Sequence, residues 1–305
     1  MMDENYITCI EDVRNAVKNI WNKYKKVGDP ACGLEMENLL EMSIVLQDYD
    51  AMILTLKRTL NIMKDLGLYA CCFNLLIKNF KVFNEIDDKK TRSQFERMKG
   101  NLFYSLGNYE LALLNYEKAE KNLLSQDVYE EFCIYHNIAI VKLKMNKMSD
   151  IDKDIKREEV YFNKVRENKS LDTIAEIEGD YLNIKALYAY KIGALDKAEE
   201  LYKETINFAN KNNDWEEVIA NYLELAEISI LRKNYFEAEE ILRKTEKICF
   251  QKHRLSALSK IYNILSKIYE ERKNYEKAYK MLRIKEKWEL NIKENIETVF
   301  SEVEI

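Results

Sequence analysis

The stretch that decides the fold is LGNYELA at residues 106–112, because closely similar stretches recur along the chain. RKNYFEA occupies residues 232–238, RKNYEKA occupies residues 272–278, and IGALDKA at residues 192–198 fits the same frame. Each stretch is a short polar corner, then an aromatic or apolar residue, then an alanine three residues later. Recurrence in a fixed frame is the sequence signature of a repeat protein.

Each of these corners is flanked by small and large residues at constant spacing. A small residue precedes the alanine by 12 positions in all four stretches, at Gly100, Ala186, Ala226 and Ser266. A large residue follows the alanine by four positions, at Tyr116, Tyr202, Leu242 and Leu282. Two antiparallel helices joined by a tight corner need small side chains where they cross, and a large residue one turn on fills the gap between them. The spacing therefore predicts pairs of closely packed helices.

The composition agrees with a helical array. The chain has only 7 Gly and 1 Pro in 305 residues, whereas sheets and long loops use these residues at their turns. Charged residues make up 33% of the chain, with both signs interleaved, which suits the solvated faces of amphipathic helices. We therefore expect an all-α protein with no β-sheet.

The pattern of a small residue, an alanine and an aromatic residue resembles that of the tetratricopeptide repeat (TPR) family. The best copy has Gly100, Phe103, Ala112, Tyr116 and Ala119 in register. Successive small residues are 40 positions apart from Ala186 to Ser266, against a usual period of about 34, and lengthened repeats of this kind resemble those of bacterial signalling proteins. The resemblance implies a right-handed TPR-like α-solenoid of antiparallel helix pairs, with about thirteen helices.

The repeat pattern also predicts how the chain is divided. The TPR-like repeats extend over 91–290, and one further repeat is expected around Ala139, with helices over about 128–146 and 150–167. More divergent helical repeats occupy 34–90 and include an unpaired-looking helix over 69–84. An N-terminal helix and loop take up 1–33, and a C-terminal helix extension takes up 291–305.

Motifs for catalysis, metal binding or cofactor binding are missing from the sequence. The two histidines, His136 and His253, lie in different repeats, and neither belongs to a zinc-peptidase motif. Gly28 and Gly33 have the spacing of a phosphate-binding loop but lack the Lys-Ser/Thr that such a loop requires. The six cysteines form no Cys-x-x-Cys pair. We expect no enzymatic activity, no cofactor and no metal.

Charge and hydropathy exclude other classes of partner and indicate a compartment. The net charge of −5 does not suggest a protein that binds nucleic acid or an anionic membrane. No apolar run approaches the roughly 18 residues that would span a bilayer. The N-terminus lacks the basic and apolar regions of a secretory signal, and scattered cysteines fit a reducing compartment. The expected location is the cytoplasm.

In TPR proteins, ligands usually lie in the concave groove lined by the first helix of each pair. Counting the small residue as position 8, the resemblance places positions 2, 5, 9 and 12 in that groove. From these positions we select as candidate ligand-binding residues Arg97, Asn101, Tyr104, His136, Asn183, Tyr190, Lys260, Asn263 and Lys267. An asparagine amide can both donate to and accept from a peptide backbone, and the basic residues would take acidic groups. Arg97 and Asn101 resemble half of a TPR carboxylate clamp.

These observations predict a protein that binds another polypeptide, in bacterial signalling or regulation. The lengthened array resembles two groups: peptide-pheromone receptors, and the TPR sensor regions of diguanylate cyclase or histidine kinase proteins. A helical stripe at Trp288, Ile292, Ile296, Val299 and Val303 leaves open a homodimer or a fused output domain through the C-terminal helix. The alternative function is a peptide-regulated phosphatase-type regulator acting on a response regulator. Gln47, the only Gln among residues 1–90, lies at a predicted corner, which argues against that alternative.

Overall fold

Helices make up almost the whole of the protein in the computed structural model. The structure describes residues 10–124, 127–149, 151–168 and 171–302, without the side chains of residues 10, 168, 171–173, 175–176 and 290–302. Within these ranges there are fourteen α-helices, one 3₁₀ turn at Leu255–Ala257 and no strand. The helices are α1 Ile10–Val27, α2 Ala31–Val45, α3 Tyr49–Asp65, α4 Tyr69–Glu85, α5 Lys89–Ser105, α6 Tyr109–Lys121, α7 Val128–Lys144, α8 Ile151–Asn168, α9 Leu171–Lys191, α10 Leu195–Lys211, α11 Trp215–Leu231, α12 Tyr235–Gln251, α13 Leu258–Glu271 and α14 Tyr275–Glu302. The all-α expectation is confirmed. The count is one above the expected number of about thirteen. The short corners leave very little chain outside helices.

The corners have the same local chemistry in successive pairs. At the α11–α12 corner, Lys233 has a φ of 61°, and the side chain of Asn234 then caps α12 by accepting from the amide of Glu237. The α5–α6 corner has Gly107 at φ 75° and Asn108 as the cap. A left-handed residue ends one helix, and a capping side chain begins the next. The recurring polar corners of the sequence are therefore the turns between paired helices.

The predicted helix crossings are present. A Cβ atom placed on Gly100 would lie 2.4 Å from the ring of Tyr116, so α5 and α6 are in contact where the glycine lies. The alanines at the crossings are fully buried, as are the large residues that follow them: Ala112, Ala186, Ala198, Ala226, Ala238, Tyr116, Tyr202 and Leu242. The small residues thus set the spacing between the helices of each pair.

The N-terminal helices pack against the C-terminal ones. Arg254, before the 3₁₀ turn, has its Nε atom 3.1 Å from Oδ2 of Asp65, and its Nη1 donates to the Tyr24 hydroxyl at 2.7 Å. That hydroxyl donates in turn to Asp65 at 3.0 Å, and all three side chains are buried. Helix α4 packs against α14 as well as its neighbours α3 and α5. The array therefore closes on itself, which the sequence did not indicate. No helix of the described residues is long and apolar enough to cross a membrane.

We predict that Gly100→Ala destabilises the protein although alanine is the better helix former. Alanine in a helix interior is usually favoured by about 1 kcal/mol. At Gly100 the added Cβ meets the buried Tyr116 ring at 2.4 Å, so we expect a net loss of about 1–3 kcal/mol in the free energy of unfolding. Urea unfolding monitored by circular dichroism measures it.

Gly179→Ala is the matched control. A Cβ on Gly179, also inside a helix, would meet the ring of Phe208 at 3.4 Å, an ordinary contact. This variant should be unchanged or more stable by up to about 1 kcal/mol. Equal stability effects in the two variants would contradict the crossing described for α5 and α6.

Candidate functional site

The inner helices face one another across the interior of the array. Lys144 of α7 pairs with Glu224 of α11, and Lys64 of α3 pairs with Glu216 of α11 at 2.8 Å. Neither pair joins helices that follow one another in the array, so these ion pairs lie across its interior. We call the space bounded by α3, α5, α7, α9, α11 and α13 the channel. It corresponds to the groove expected from the sequence, except that α3 also contributes to it.

Arg97 is not available to an acidic ligand group, contrary to its predicted role. Its guanidinium makes two hydrogen bonds to Glu130 of α7, from Nε at 2.6 Å and from Nη2 at 2.9 Å. Arg97 is only 6% exposed and Glu130 only 1%. The pairing satisfies both charges within the protein, and breaking it would leave one of them buried and uncompensated. Arg97 and Asn101 therefore do not form half of a carboxylate clamp.

His136 is likewise held by an internal partner rather than presented to the channel. Its Nδ1 lies 2.7 Å from Oε1 of Glu158 on α8, both residues are buried, and the imidazole stacks on Phe132. Burial opposes the charged imidazole, but attraction to Glu158 and to Asp180 outweighs it and raises the pKa of His136 to about 9. The raised pKa of His136 favours a charged imidazole at neutral pH, which would pair with Glu158 between α7 and α8. Burial raises the pKa of Glu158 as well.

Asn101 and Tyr104 lie in the channel wall, half-buried. The Oδ1 of Asn101 accepts from the Tyr116 hydroxyl at 2.8 Å and from Nδ2 of Asn137 at 3.1 Å. Because its Oδ1 atom is occupied, the Asn101 side chain has its NH₂ group left to donate to a ligand carbonyl. Tyr104 and Tyr190 pack against the same apolar cluster of α7, α8 and α9.

The remaining predicted residues stand on α9 and α13. Asn183 and Asn263 are half-buried, and no hydrogen bond to either side chain occurs among the described residues. Lys260 and Lys267 are exposed. Partial desolvation of the Lys260 ammonium group, together with the positive charge of Lys144, lowers the pKa of Lys260. These two lysines, unlike Arg97, have no ion-pair partner within the part of the chain that is described.

Several channel residues escaped the sequence analysis. Asn137 and Lys144 each lie one residue beyond positions 5 and 12 of the repeat around Ala139, so a wider stripe would have included them. Glu217 of α11 has a pKa raised to about 8 by burial and by the charges of Asp180 and Asp214. Helix α3 contributes Lys57, Asn61 and Lys64 to a pocket that Asn101 of α5 also lines. No sequence signal pointed to α3, because its repeat pattern is weak.

No group of three His, Cys, Asp or Glu side chains among the residues that the structure describes could hold a metal ion. Gln47 is exposed at the α2–α3 corner, with a φ of 54°, as the sequence predicted. Trp288 packs onto the core formed by α11–α14 rather than outward, and the other side chains of its predicted stripe lie outside the described residues.

The overall architecture is similar to that of solved Rap and NprR structures. No model of a known protein family matches the chain, and no curated protein matches its sequence. A Rap protein complexed with Competence and Sporulation Factor aligns with a TM-score of 0.62 and 15% identity, over 92% of this chain and 78% of that one. NprR in complex with its cognate peptide NprX gives 0.60 and 14%, over 95% and 82%. The Rap conjugation gene regulator of plasmid pLS20, in complex with the Phr* peptide, gives 0.54 and 16%, over 90% and 73%. The chain therefore has the TPR-like α-solenoid fold of these proteins.

We predict that the imidazole of His136 titrates with a pKa of about 9. Because this value lies above the ordinary 6.5, the ion pair with Glu158 contributes its full stability below about pH 6.5, and the contribution is lost as the pH rises through 9. An NMR titration of the imidazole carbons measures the pKa, and His253→Gln leaves His136 as the single signal, since the chain has 2 His.

Glu158→Gln provides the matched test of the cause. Removing the carboxylate charge leaves burial to act on His136, so the pKa should fall by more than one unit and the protein should lose stability at pH 7. A wild-type midpoint at or below 6.5, or a midpoint that Glu158→Gln leaves in place, would show that the two side chains do not pair.

Proposed function

We propose that this chain is a non-catalytic regulator that binds a peptide in the channel. The observation that carries the proposal is that Asn101, Asn183 and Asn263 lie on three inner helices, where we expect them to form part of the channel wall. These amides are half-buried and are accompanied by the aromatic rings of Tyr104 and Tyr190. The fold supports it further, because the Rap and NprR proteins of similar architecture were solved in complexes with the factors and peptides named above.

The three asparagines suit the recognition of an extended peptide backbone. Each amide can donate to a peptide carbonyl and accept from a peptide N–H, so recognition need not depend on the peptide's side chains. Asn101 acts as a donor, because its oxygen already accepts two hydrogen bonds. Asn183 and Asn263 bring both functions. The rings of Tyr104 and Tyr190 would then contact apolar side chains of the peptide.

Charge selection falls to the lysines rather than to Arg97. Lys260 and Lys267 are exposed on α13 and would take an acidic side chain or a terminal carboxylate of the peptide. Arg97 instead stabilises the wall through Glu130. Several charges in the channel are already paired with each other, as in Lys144–Glu224 and Lys64–Glu216. A peptide therefore gains most from the groups that are not yet paired.

The proposed setting is bacterial signalling in the cytoplasm, with no chemistry performed by this chain. Gln47 is the side chain that could position water on a phosphorylated partner, and it lies at an exposed corner. Incubating the purified chain with a phosphorylated receiver domain should leave the rate of dephosphorylation unchanged. Acceleration of that rate would replace this proposal with the phosphatase-type alternative.

We predict that Asn183→Ala weakens peptide binding about tenfold or more, while the melting temperature stays nearly unchanged. Loss of the amide leaves a buried peptide group without its partner, at a cost of about 1–3 kcal/mol. A display library of seven-residue peptides selected against the wild-type chain supplies the ligand, and calorimetry measures its affinity for the wild-type and variant chains.

Two controls define the outcome. Asn74→Ala removes an exposed helical asparagine from α4, outside the channel, and should leave the affinity unchanged. Ala198→Leu overpacks a fully buried crossing and should lower the stability by about 1–3 kcal/mol. Equal peptide affinity of Asn183→Ala and wild type would place the ligand on another surface, and a library that yields no binder would count against the function itself.

A further inference from the structure

The outer face of α14 carries four exposed side chains at helical spacing. Tyr275 and Tyr279 are 68% and 65% exposed, and the side chains of Arg283 and Glu286 are 59% and 52% exposed. Spacings of four, four and three residues place them on one stripe along the helix. Helix α4 also packs against α14, and these exposures show that it leaves this stripe uncovered.

Helix α12 of the preceding pair carries a similar stripe, which contacts a neighbouring helix. The positions 40 residues earlier on α12 hold Tyr235, Glu239, Arg243 and Glu246, so three of the four residue types are identical. Every one of them bonds to α13, the next helix along the array: Tyr235 donates to Glu271 at 3.3 Å, Arg243 donates to Tyr269 at 3.4 Å, Tyr269 donates to Glu239, and Tyr262 donates to Glu246. On α12 this stripe is thus the surface that binds the neighbouring antiparallel helix.

Among the described residues, no hydrogen bond or ion pair joins the same stripe on α14 to another helix. Arg283 and Glu286 bond to each other at 2.9 Å, and the hydroxyls of Tyr275 and Tyr279 have no partner among the described residues. Two large aromatic side chains and an ion pair are thus displayed where α12 makes a helix–helix contact. An occupant of this surface should offer what α13 offers to α12, namely tyrosines and a glutamate.

The stripe on α14 has that composition itself. In an antiparallel pair of α14 helices with a twofold axis near residue 281, Tyr279 lies opposite Arg283 of the partner subunit. Tyr275 then lies within one residue of the position opposite Glu286 of the partner subunit. Both are pairings that α12 makes with α13, where Tyr235 meets Glu271 and Arg243 meets Tyr269. The stripe carries one positive and one negative charge, so two copies do not repel each other there.

We propose that this chain forms a symmetric homodimer through the Tyr275–Tyr279–Arg283–Glu286 stripe of α14. Each residue of the stripe is used twice, as a twofold interface requires. The stripe spans about three helical turns, which is smaller than a standard permanent interface, so the dimer is weak and depends on concentration. The proposal does not depend on peptide binding in the channel.

Sedimentation equilibrium of the purified chain tests the proposal. Over loading concentrations from about 10 µM to about 1 mM, the weight-average mass should rise from 36.3 kDa toward twice that value. The double variant Tyr275→Ala/Tyr279→Ala should raise the dissociation constant about tenfold or more. Its circular dichroism and melting curve should match the wild type, because both side chains are largely exposed.

Tyr49→Ala is the matched control, because Tyr49 is the exposed first residue of α3 as Tyr275 is the exposed first residue of α14. It should leave the dimer unchanged. A chain that stays monomeric over the whole concentration range would overturn the proposal. So would a dimer whose dissociation constant is the same for the double variant and the wild type, since its interface would then lie elsewhere.

Discussion

Close approach of two helices at a small residue is the constraint on which the rest of this structure depends. Where Gly100 meets the ring of Tyr116, no side chain larger than hydrogen fits. Elsewhere an alanine takes the same place, as at Ala186 and Ala226, and is fully buried. The spacing fixed at these crossings is repeated from pair to pair. It brings the inner helices into a continuous wall and determines how wide the channel can be.

Buried ion pairs then join helices that the crossings alone would not align. Arg97–Glu130 connects α5 to α7, His136–Glu158 connects α7 to α8, and Arg254–Asp65 connects the C-terminal half to α3. A buried pair adds little net stability, since both charges lose their hydration. An unpaired buried charge is costly, however, so an arrangement that separates the partners is disfavoured. We interpret these pairs as features that select one arrangement of the helices over others.

This division of roles explains the character of the candidate site. Several charges of the inner helices are already paired within the protein, and we propose that the amides, the tyrosine rings and the two lysines of α13 are the groups that a ligand meets. Groups of that kind recognise a peptide backbone and its apolar side chains more readily than they activate a substrate. The array also has a second surface of recognisable chemistry, the stripe on α14, which repeats the helix-binding residues of α12. Both surfaces arise from the same repeat, one from its inner helix and one from its outer helix.

The sequence by itself determined the local part of this structure. The corners, the helix pairs and the crossing residues all follow from patterns within about 40 residues, and a helix and its packing face depend mainly on such short-range periodicity. It also located Asn101, Tyr104, Asn183, Tyr190 and Asn263 on inner helices. The tertiary structure alone decided that Arg97 and His136 are already paired, because their partners lie 33 and 22 residues away and belong to other helices. It alone brought Arg254 to Tyr24 across 230 residues and placed α3 beside the channel. A contact at the separation of Arg254 and Tyr24 depends on the accumulated twist of all the intervening pairs, and no local pattern of residues specifies that sum.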